Sequence, residues 1–421
     1  MNSKSVCVLG DSMFPILCDK TIVTICQQRF YFPGDIIVFK YKGEILIHRL
    51  LKIENNIFFA KGDNAFRIED FSEDSILGKA IVPNDFNKTA DYMEASWRIG
   101  ILFKKNGYRK DLLIQTKEYI EYKRKYIDLT NVRKRLLKAR SSVFYSNFPV
   151  SIECLYAVIK GEALSLLAYG KCGQRVSQDI DILVPKHSLE VIENEFFTKG
   201  FEKIDCNRID SIYTIVTSHQ TIPLMKKIDP FGHMLIDLNF DVFWGEYEGE
   251  KIDIERFLSD CIEVELYGVK VKTLPPLKTM IQLILHHYKD MNSIFLLATR
   301  HSINYAMFQD IYFLLLNNQE EITVSKLFNI SEEYQIIPYV YYILYYTFQI
   351  FNDPTLKPYL SAFHTFEGDR LLPCYGLCSK ERKEWKVDFI TRLRADNLYQ
   401  LIKDDLTEKD VEKISINKNF F

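Results

Sequence analysis

Residues 178–184 read Gln-Asp-Ile-Asp-Ile-Leu-Val, and this run constrains the fold more than any other part of the chain. Polar and apolar residues alternate in it and then give way to apolar ones. That pattern is typical of a β-strand, in which successive side chains point to opposite faces. Asp179 and Asp181 would share one face of the strand. Two carboxylates placed in this way can bind one hard cation, because Mg²⁺ prefers oxygen ligands and takes one or two carboxylates together with substrate phosphates. A surface strand that carries two acids is the alternative, since the motif itself is short.

Length and composition favour an intracellular protein of more than one domain. The chain has 421 residues, of which 47% are hydrophobic, enough for about two or three domains with sizeable cores. A formal net charge of −2 argues against a general binder of polyanions. The nine cysteines are scattered and odd in number, which fits a reducing compartment better than a disulfide framework. Cys374 and Cys378 lack a second pair or a nearby histidine cluster, so we interpret them as structural rather than as zinc ligands.

No secretory signal or transmembrane segment is expected. The first ten residues are too short and too polar for the apolar part of a signal peptide. No stretch reaches the roughly 20 apolar residues that a membrane span needs. Residues 334–351 come nearest, but Gln335, Pro338 and Gln349 favour a core helix. We therefore expect a soluble, cytoplasmic protein.

Residues 1–86 are predicted to form a β-rich domain. Short apolar runs recur at residues 22–25, 35–39, 45–47 and 57–59. Turn sequences that contain glycine separate them at residues 33–35, 42–44 and 61–64. Strands this short and evenly spaced are typical of a small twisted sheet or barrel.

A series of motifs in this segment is more specific than the strands. In chain order they are Gly-Asp-Ser-Met-Phe-Pro (10–15), Pro-Gly-Asp-Ile-Ile-Val-Phe (33–39), Ile-His-Arg-Leu (47–50), Ala-Lys-Gly-Asp-Asn (60–64), Asp70 and Ile-Leu-Gly-Lys-Ala-Ile-Val (76–82). The series resembles the signal-peptidase and LexA-like clan of serine peptidases, and most of all its branch in which histidine replaces lysine as the general base. The resemblance implies that Ser12 is the nucleophile and His48 the base. It also implies that Asp63, with Asp70 as the alternative, orients the imidazole.

The chemistry of such a site agrees with these residue types. A serine hydroxyl is a poor nucleophile until a neighbouring base takes its proton, and the pKa of histidine suits that role near neutral pH. A carboxylate on the other ring nitrogen fixes the tautomer. Members of the branch usually carry a membrane anchor beside the serine, which this sequence does not show, so a translocated preprotein is not the expected substrate. The alternative is a former peptidase domain that now only binds peptide.

Residues 87–150 are predicted to be a basic helical linker. Between residues 96 and 142 there are fourteen Lys and Arg residues against four acids, and apolar residues recur at helical spacing. One interpretation is a solvated connector. The other is a surface that faces anions, such as an acidic peptide, RNA or a triphosphate.

From residue 151 the pattern becomes α/β. Residues 157–159 read as a strand, and Lys160-Gly161 as a turn that leads into a helix. A helix is expected at 188–199, and residues 234–241 alternate as a second strand. On that strand, Asp237, Asn239 and Asp241 would share one face.

These features, together with Arg175 and Gly200-Phe201, resemble the nucleotidyltransferase superfamily of DNA polymerase beta. They are most similar to its bacterial branch that is often associated with ribosomally made, modified peptides. The resemblance runs from about residue 151 to residue 315. It implies that Asp179, Asp181 and Asp237 hold metal, with two Mg²⁺ ions and a nucleoside triphosphate as substrate. It also implies that Gly161 lets the backbone approach the triphosphate, while Lys160 and Arg175 contact phosphate.

After residue 273 the chain is predicted to be helical, with helices at 277–288, 305–316, 334–351 and 385–402. His286 and His287 are adjacent and would point about 100° apart on a helix, so they cannot share a metal ion as residues four apart do. We interpret them as core or pocket-edge histidines. His301 and Asp310 lie where the nucleotidyltransferase branch packs helices against its active site.

Together these patterns predict a multidomain α+β protein. Its parts are a signal-peptidase-like β domain (1–86), a basic helical linker (87–150), an α/β nucleotidyltransferase core (151–273) and a helical region (274–421). The expected function is Mg²⁺-dependent nucleotidyl transfer to an acceptor, which could be a peptide or small protein held or cut by the first domain. Nucleic acid is less favoured as a partner. The alternatives are a Ser-His endopeptidase with a non-catalytic second domain, and an inactive adaptor that binds peptide.

Overall fold

The computed structural model describes residues 4–82, 85–149, 154–175, 177, 179–204, 218–245, 247, 249–299, 302–395 and 397–418. The chain forms two compact units, residues 1–140 with 348–355 and residues 141–347 with 356–421. None of the helices within the described ranges is long and apolar enough to cross a membrane.

The first unit contains a seven-stranded antiparallel sheet. Its strands are β1 Lys4–Cys7, β2 Ile22–Cys26, β3 Ile36–Tyr41, β4 Glu44–Glu54, β5 Ile57–Lys61, β6 Glu69–Ser72 and β7 Ile76–Ala80. They lie in the order β1-β2-β7-β3-β4-β5-β6. Because side chains alternate along each strand, both faces of the sheet bury apolar residues. One core includes Val23, Ile36 and Val38, and the other includes Ile37 and Phe39.

Helices follow the sheet in the same unit, except that the last of them continues past Arg140, where the second unit begins. They are α1 Ala90–Lys105, α2 Lys110–Leu113, α3 Lys117–Tyr122, a π-helical segment Lys123–Asp128 and α4 Leu129–Ser146. The sequence predicted a separate basic linker over residues 87–150, whereas residues 87–140 belong to the same compact unit as the sheet. The physical reason is an aromatic and apolar face on these helices, with Tyr92, Ile99 and Tyr122 buried in a cluster that also includes Phe66 from the sheet side.

The second unit is built on a mixed seven-stranded sheet. Its strands are β8 Ala157–Ile159, β9 Asp179–Leu183, β10 Glu202–Lys203, β11 Leu224–Ile228, β12 Gly232–Asn239, β13 Ile262–Leu266 and β14 Val269–Thr273. They lie in the order β10-β11-β12-β9-β8-β14-β13, and β9 pairs in parallel with β12. One face buries a core that includes Ile180, Ile182 and Ile236. The predicted α+β class with two sheet domains is confirmed.

Helices complete the second unit, although residues 348–351 at the end of one of them are counted with the first unit. They are α5 Gly161–Tyr169, α6 Leu189–Thr198, α7 Ile254–Leu258, α8 Pro276–Asn292, α9 Ile294–Thr299, α10 Tyr305–Asn317, α11 Val324–Glu333, α12 Ile337–Phe351, α13 Lys357–Phe363, α14 Phe366–Leu371, α15 Phe389–Arg394, α16 Tyr399–Ile402 and α17 Glu408–Lys418. A two-stranded sheet pairs β15 Cys374–Tyr375 with β16 Lys383–Glu384. Helix α10 packs against α5, so the domain boundary expected at residue 273 falls inside this unit.

Candidate active sites

Three carboxylates lie side by side on two neighbouring strands of the second unit. On β9, Asp179 and Asp181 share the face opposite the core residues Ile180 and Ile182. The parallel register places Asp237 of β12 directly beside Asp181. Because side chains at paired positions of adjacent strands point to the same face, the sheet itself brings these acids together.

The pKa of the Asp237 carboxyl group is shifted strongly in this environment. Burial raises the pKa of Asp237 to about 7, and the negative charges of Asp181 and Asp179 act in the same direction. The charge of Lys160 opposes them without restoring the ordinary value. Like charges that cannot all ionise at neutral pH are a feature of sites that bind a cation or move a proton.

Lys160 supplies positive charge to the acidic cluster from the turn between β8 and α5. Its Nζ lies 2.8 Å from Asp181 Oδ1, and the side chain is 12% exposed. The backbone turns sharply here, with φ of +58° at Lys160 and +43° at Gly161. An L-residue with a side chain is strained at such values, so Lys160 is held in place by its surroundings, and Gly161 suits the second position.

Ser177 connects this turn to β9. Its hydroxyl donates to Asp179 Oδ1 over 2.6 Å. A Cβ atom built on Gly161 would lie 3.4 Å from Ser177 Cβ, at ordinary contact distance. The positive φ at Gly161, rather than lack of space, is therefore what favours glycine there.

The loop before β9 is held by two side chains of α5. Glu162 accepts a hydrogen bond from the Gly173 amide over 2.6 Å and one from the Tyr267 hydroxyl over 2.9 Å. Ser165 Oγ accepts from the amides of Gln174 and Arg175, at 2.9 and 3.1 Å. The resemblance to the superfamily gave Glu162 no role, and the structure assigns it to anchoring this loop.

Arg175 pairs with a buried acid of α10. Its Nε donates to Asp310 Oδ2 over 2.7 Å, and the Tyr169 hydroxyl donates to Asp310 Oδ1 over 2.7 Å. Asp310 is 2% exposed, whereas the Arg175 side chain is 20% exposed. The acid thus fixes the direction of the guanidinium group, and the phosphate contact expected of Arg175 stays a prediction. His301 lies outside the described residues.

Two further polar side chains lie near the acids: Asn239, which the sequence placed on the same face as Asp237, and His219, which the sequence analysis did not identify. Asn239 donates from Nδ2 to Asp181 Oδ1 over 3.4 Å and to the Asp237 carbonyl over 3.1 Å. His219 lies beside the end of β12, where its carbonyl accepts from the Phe240 amide. Burial lowers the pKa of His219 well below its ordinary value, and the charges of Lys289, Lys160 and Lys251 add to this effect. His219 is far from the acids in sequence, so no local pattern could have grouped it with them.

His286 and His287 take different environments, as their adjacent positions on a helix predicted. His286 Nε2 lies 3.6 Å from Asp290 Oδ2. The His287 ring is buried and packs against Phe308, with centroids 4.3 Å apart. The two imidazoles therefore do not form one site.

The acidic cluster fits a divalent cation by the chemistry of its donors. Across the parts of the chain that the structure describes, no group of three or more His, Cys, Asp or Glu side chains is arranged to hold a metal ion. Burial is the largest cause of the raised pKa of Asp237, and the charges of Asp181 and Asp179 add to it. Carboxylate oxygens are the ligands that Mg²⁺ prefers, and a bound cation would offset the part of the shift that these two charges cause.

A second candidate site lies in the first unit, around His48. The His48 imidazole is buried on β4, and its Nδ1 lies 3.0 Å from Glu69 Oε2. The carboxylate in contact with the ring is thus Glu69, not Asp63 or Asp70. On β6 the side chains alternate, so Glu69 is buried whereas Asp70 is exposed. Alternation in the sequence favours Glu69 over Asp70 as the inward-facing acid, but it does not identify His48 as its partner.

Asp63 belongs to a different buried network. Arg49 Nε and Nη2 donate to its two carboxylate oxygens over 2.9 and 2.8 Å, and the Tyr92 hydroxyl donates to Oδ1 over 2.8 Å. Although burial favours the protonated acid, the Arg49 charge holds the pKa of Asp63 below its ordinary value. Arg49 also bonds both oxygens of Asp85. Asp63 therefore compensates a buried guanidinium instead of orienting His48.

Ser12 and His48 converge on Gly62. A Cβ atom built on Gly62 would lie 2.6 Å from the Ser12 carbonyl oxygen and 3.0 Å from His48 Nε2. The Asn64 amide also donates to that carbonyl over 2.7 Å. Among the described residues no hydrogen bond joins the Ser12 hydroxyl to the imidazole. The backbone of the predicted nucleophile and the free ring nitrogen of the predicted base are thus close together, and glycine is needed between them.

Lys61 is a buried amine next to this site. Its Nζ donates to the carbonyls of Gly62 and Ala65 over 2.9 and 2.8 Å. Burial lowers the pKa of Lys61 to about 8, against the opposing charges of Asp63 and Glu69. The amine therefore holds the loop of residues 62–65 in shape around Gly62.

Comparisons with known proteins agree with the two units. Residues 2–81 match the family described as Peptidase S24-like, and residues 152–352 match the family described as uncharacterised nucleotidyltransferase. No curated protein matches the chain. Similar solved structures include that of an antigenic nucleotidyltransferase-like protein from Paracoccidioides brasiliensis, with 19% identity and a TM-score of 0.32. That match covers 59% of this chain and 96% of the other.

Proposed function

Because the chain joins a Peptidase S24-like domain to an uncharacterised nucleotidyltransferase domain, we propose that it transfers a nucleotidyl group from a nucleoside triphosphate to an acceptor in a Mg²⁺-dependent reaction. The observation that carries this proposal is the parallel pairing of Asp237 with Asp181, two residues from Asp179, with the raised pKa of Asp237. Both domains come from enzyme families, and the acidic cluster supplies the residue types that this chemistry requires.

In the proposed reaction, Asp179, Asp181 and Asp237 would hold Mg²⁺, which stabilises charge on the phosphoryl oxygens when bound. An acceptor oxygen forms a bond to the α-phosphorus, the bond from that phosphorus to the bridging oxygen of the β-phosphate breaks, and pyrophosphate leaves. The proton of the acceptor passes to solvent or to a nearby carboxylate. Lys160 lies on the turn at Gly161 beside Asp181, and in the proposed reaction its ammonium group would also contact phosphate.

We assign the acceptor to peptides or small proteins in the cytoplasm. The support is the presence of a Peptidase S24-like domain in the same chain, since such a domain could bind the peptide that the transferase modifies. The net charge of −2 does not favour nucleic acid as the acceptor.

The test uses purified protein, Mg²⁺, the four α-labelled nucleoside triphosphates and cell-derived peptide. We expect the wild type to transfer label and Asp179→Asn to lose this activity, by about a hundredfold or more if the carboxylate binds metal. Glu263→Gln is the matched control, because Glu263 lies on β13 of the same sheet with an exposed side chain. If no nucleotide is transferred, and Mg²⁺ does not promote nucleotide binding, the proposal fails.

A second candidate function, Ser-His peptidase activity, rests on the His48–Glu69 pair and on the approach of Ser12 and His48 to Gly62. A fluorophosphonate probe, which forms a bond to an activated serine oxygen with loss of fluoride, measures it directly. Label on the wild type that disappears in Ser12→Ala and His48→Ala, and persists in Ser75→Ala, would support the peptidase. If the probe labels nothing while a labelled peptide still binds, the first unit acts as a peptide-binding adaptor.

A further inference from the structure

The basic helices of the first unit expose an unusual number of large apolar side chains. Among the described residues, seventeen large hydrophobic side chains are exposed, and seven of them fall between residues 108 and 136. They are Tyr108, Leu112, Ile114, Ile120, Leu129, Val132 and Leu136, with 41–56% of each side chain exposed. We call these seven residues, with the basic residues among them, the amphipathic surface. Exposed apolar side chains that lie together mark interaction sites, and on α4 the spacing of three of them shows that they do.

On helix α4, the exposed apolar side chains lie along one side of the helix. Leu129, Val132 and Leu136 follow the spacing i, i+3, i+7, so at about 100° per residue they form one stripe about 60° wide. Their exposed fractions are 46, 50 and 51%. The opposite side of the helix faces the unit, where Lys134 Nζ donates to the carbonyls of Pro15 and Ile16 at 3.2 and 2.9 Å. The apolar stripe therefore points away from the body of its unit.

Positive charge borders the stripe. Arg133 and Arg135 are exposed and flank it on its two sides by the same helical geometry. From residue 104 to residue 140 there are thirteen Lys and Arg residues against four acids. Asp111 and Asp128 are paired with Arg109 and Lys123, at 2.5 and 3.0 Å. The amphipathic surface thus combines exposed aliphatic groups with a large excess of basic charge.

We propose that the amphipathic surface docks on membranes that contain anionic phospholipid. A helix with an apolar stripe between basic residues lies in the plane of a bilayer interface, with its aliphatic side chains at the acyl boundary and its cations near lipid phosphates. RNA would satisfy the cations but leave six aliphatic side chains in water, and Tyr108 alone among the seven could stack on a base. The chemistry of the surface therefore fits lipid better than nucleic acid.

The test measures sedimentation of the full chain with extruded vesicles of phosphatidylcholine, with and without phosphatidylglycerol. We expect binding to the anionic vesicles that weakens as salt is raised. Arg133→Gln/Arg135→Gln should weaken binding by about 30-fold, from roughly 1 kcal/mol for each basic residue near the surface. Leu129→Ser/Val132→Ser/Leu136→Ser should weaken binding at every salt concentration, because it removes the aliphatic side chains whose burial in the bilayer does not depend on salt.

The matched control is Val191→Ser/Phe366→Ser, which removes exposed apolar side chains from other parts of the chain and should bind vesicles like the wild type. The arginine variant keeps the apolar stripe intact, so it serves as a second probe if the serine variant does not fold. The proposal would be overturned if the wild-type protein did not bind anionic vesicles, or if it bound single-stranded RNA but not vesicles. Vesicle binding that neither set of substitutions reduces would also overturn it.

Discussion

At the scale of single residues, the ionised form of the Asp237 carboxyl group is unfavourable in the folded protein. Burial and the charges of Asp181 and Asp179 raise its pKa from 3.8 to about 7 in the folded protein. A raised carboxyl pKa means that the folded state binds more protons than the unfolded state between about pH 4 and pH 7. The contribution of this group to stability is therefore favourable below that window and is lost as pH rises through it.

We predict that Asp237→Asn stabilises the metal-free protein at pH 8 by about 1–2 kcal/mol. This is less than the full shift would give, since the side chain is only partly buried. The difference should shrink as the pH falls towards 4, where the native carboxyl group is protonated. Urea unfolding with a chelator present, at pH 5 and pH 8, measures both values. Equal stability of the two proteins at pH 8 would contradict the assigned cause.

The orientation of the His48 imidazole is also set by a single residue, Glu69. Because Glu69 lies 3.0 Å from His48 Nδ1, we predict that Glu69→Gln slows fluorophosphonate labelling of Ser12 by about a hundredfold or more, through loss of the favoured tautomer. Asp70→Asn should not change the labelling rate, because its side chain is exposed on the other face of β6. Rates measured over a range of pH would separate loss of orientation from unfolding. A larger effect of Asp70→Asn than of Glu69→Gln would mean that Asp70, one of the two acids expected from the sequence, orients the His48 imidazole.

At the scale of elements, the loop before β9 depends on α5. Glu162 accepts from the Gly173 amide, and Ser165 accepts from the amides of Gln174 and Arg175. We predict that Glu162→Ala increases hydrogen exchange at Gly173 by about tenfold or more, from the loss of one hydrogen bond to a charged group. Exchange in β12 should not change, because its ladder does not involve Glu162. Unchanged exchange at Gly173 would show that the loop is held by other contacts.

Sequence periodicity predicted most strands and the long helices, because each depends on local patterns. The expected run at residues 57–59 became β5 Ile57–Lys61, and the helix expected at 305–316 became α10. The prediction of one helix over residues 385–402 was wrong, because Ala395 has an extended backbone and ends α15. The placement of acids on β9 and β12 followed from alternation, whereas the partner of His48 depended on which strand lies beside β5. Pairing between distant segments is what the sequence alone could not supply.

At the scale of the whole molecule, each unit has its own core. The first buries apolar residues on both sides of its antiparallel sheet, and the second buries a separate cluster against its mixed sheet. Separate cores in one chain allow separate unfolding transitions. The three tryptophans divide between the units, with Trp97 in the first and Trp244 and Trp385 in the second.

We predict that Asp63→Ala lowers the stability of the first unit by about 3–5 kcal/mol, because it removes a partner of the fully buried Arg49 guanidinium. The second unit should unfold as in the wild type. Urea titrations followed by tryptophan fluorescence, with and without Trp97→Phe, assign each transition. Asp70→Ala is the control, and a change of less than about 0.5 kcal/mol is expected for this exposed residue. A common shift of both transitions would mean that the units unfold together.

The contact of Lys160 with Asp181 gives the chain a cation of its own, tethered 2.8 Å from the carboxylate. Under the proposed function, a Mg²⁺ ion that binds Asp181 would therefore compete with this ammonium group for the same carboxylate oxygen. The affinity of the acidic cluster for a cation would then depend on how easily the Lys160 side chain leaves that oxygen.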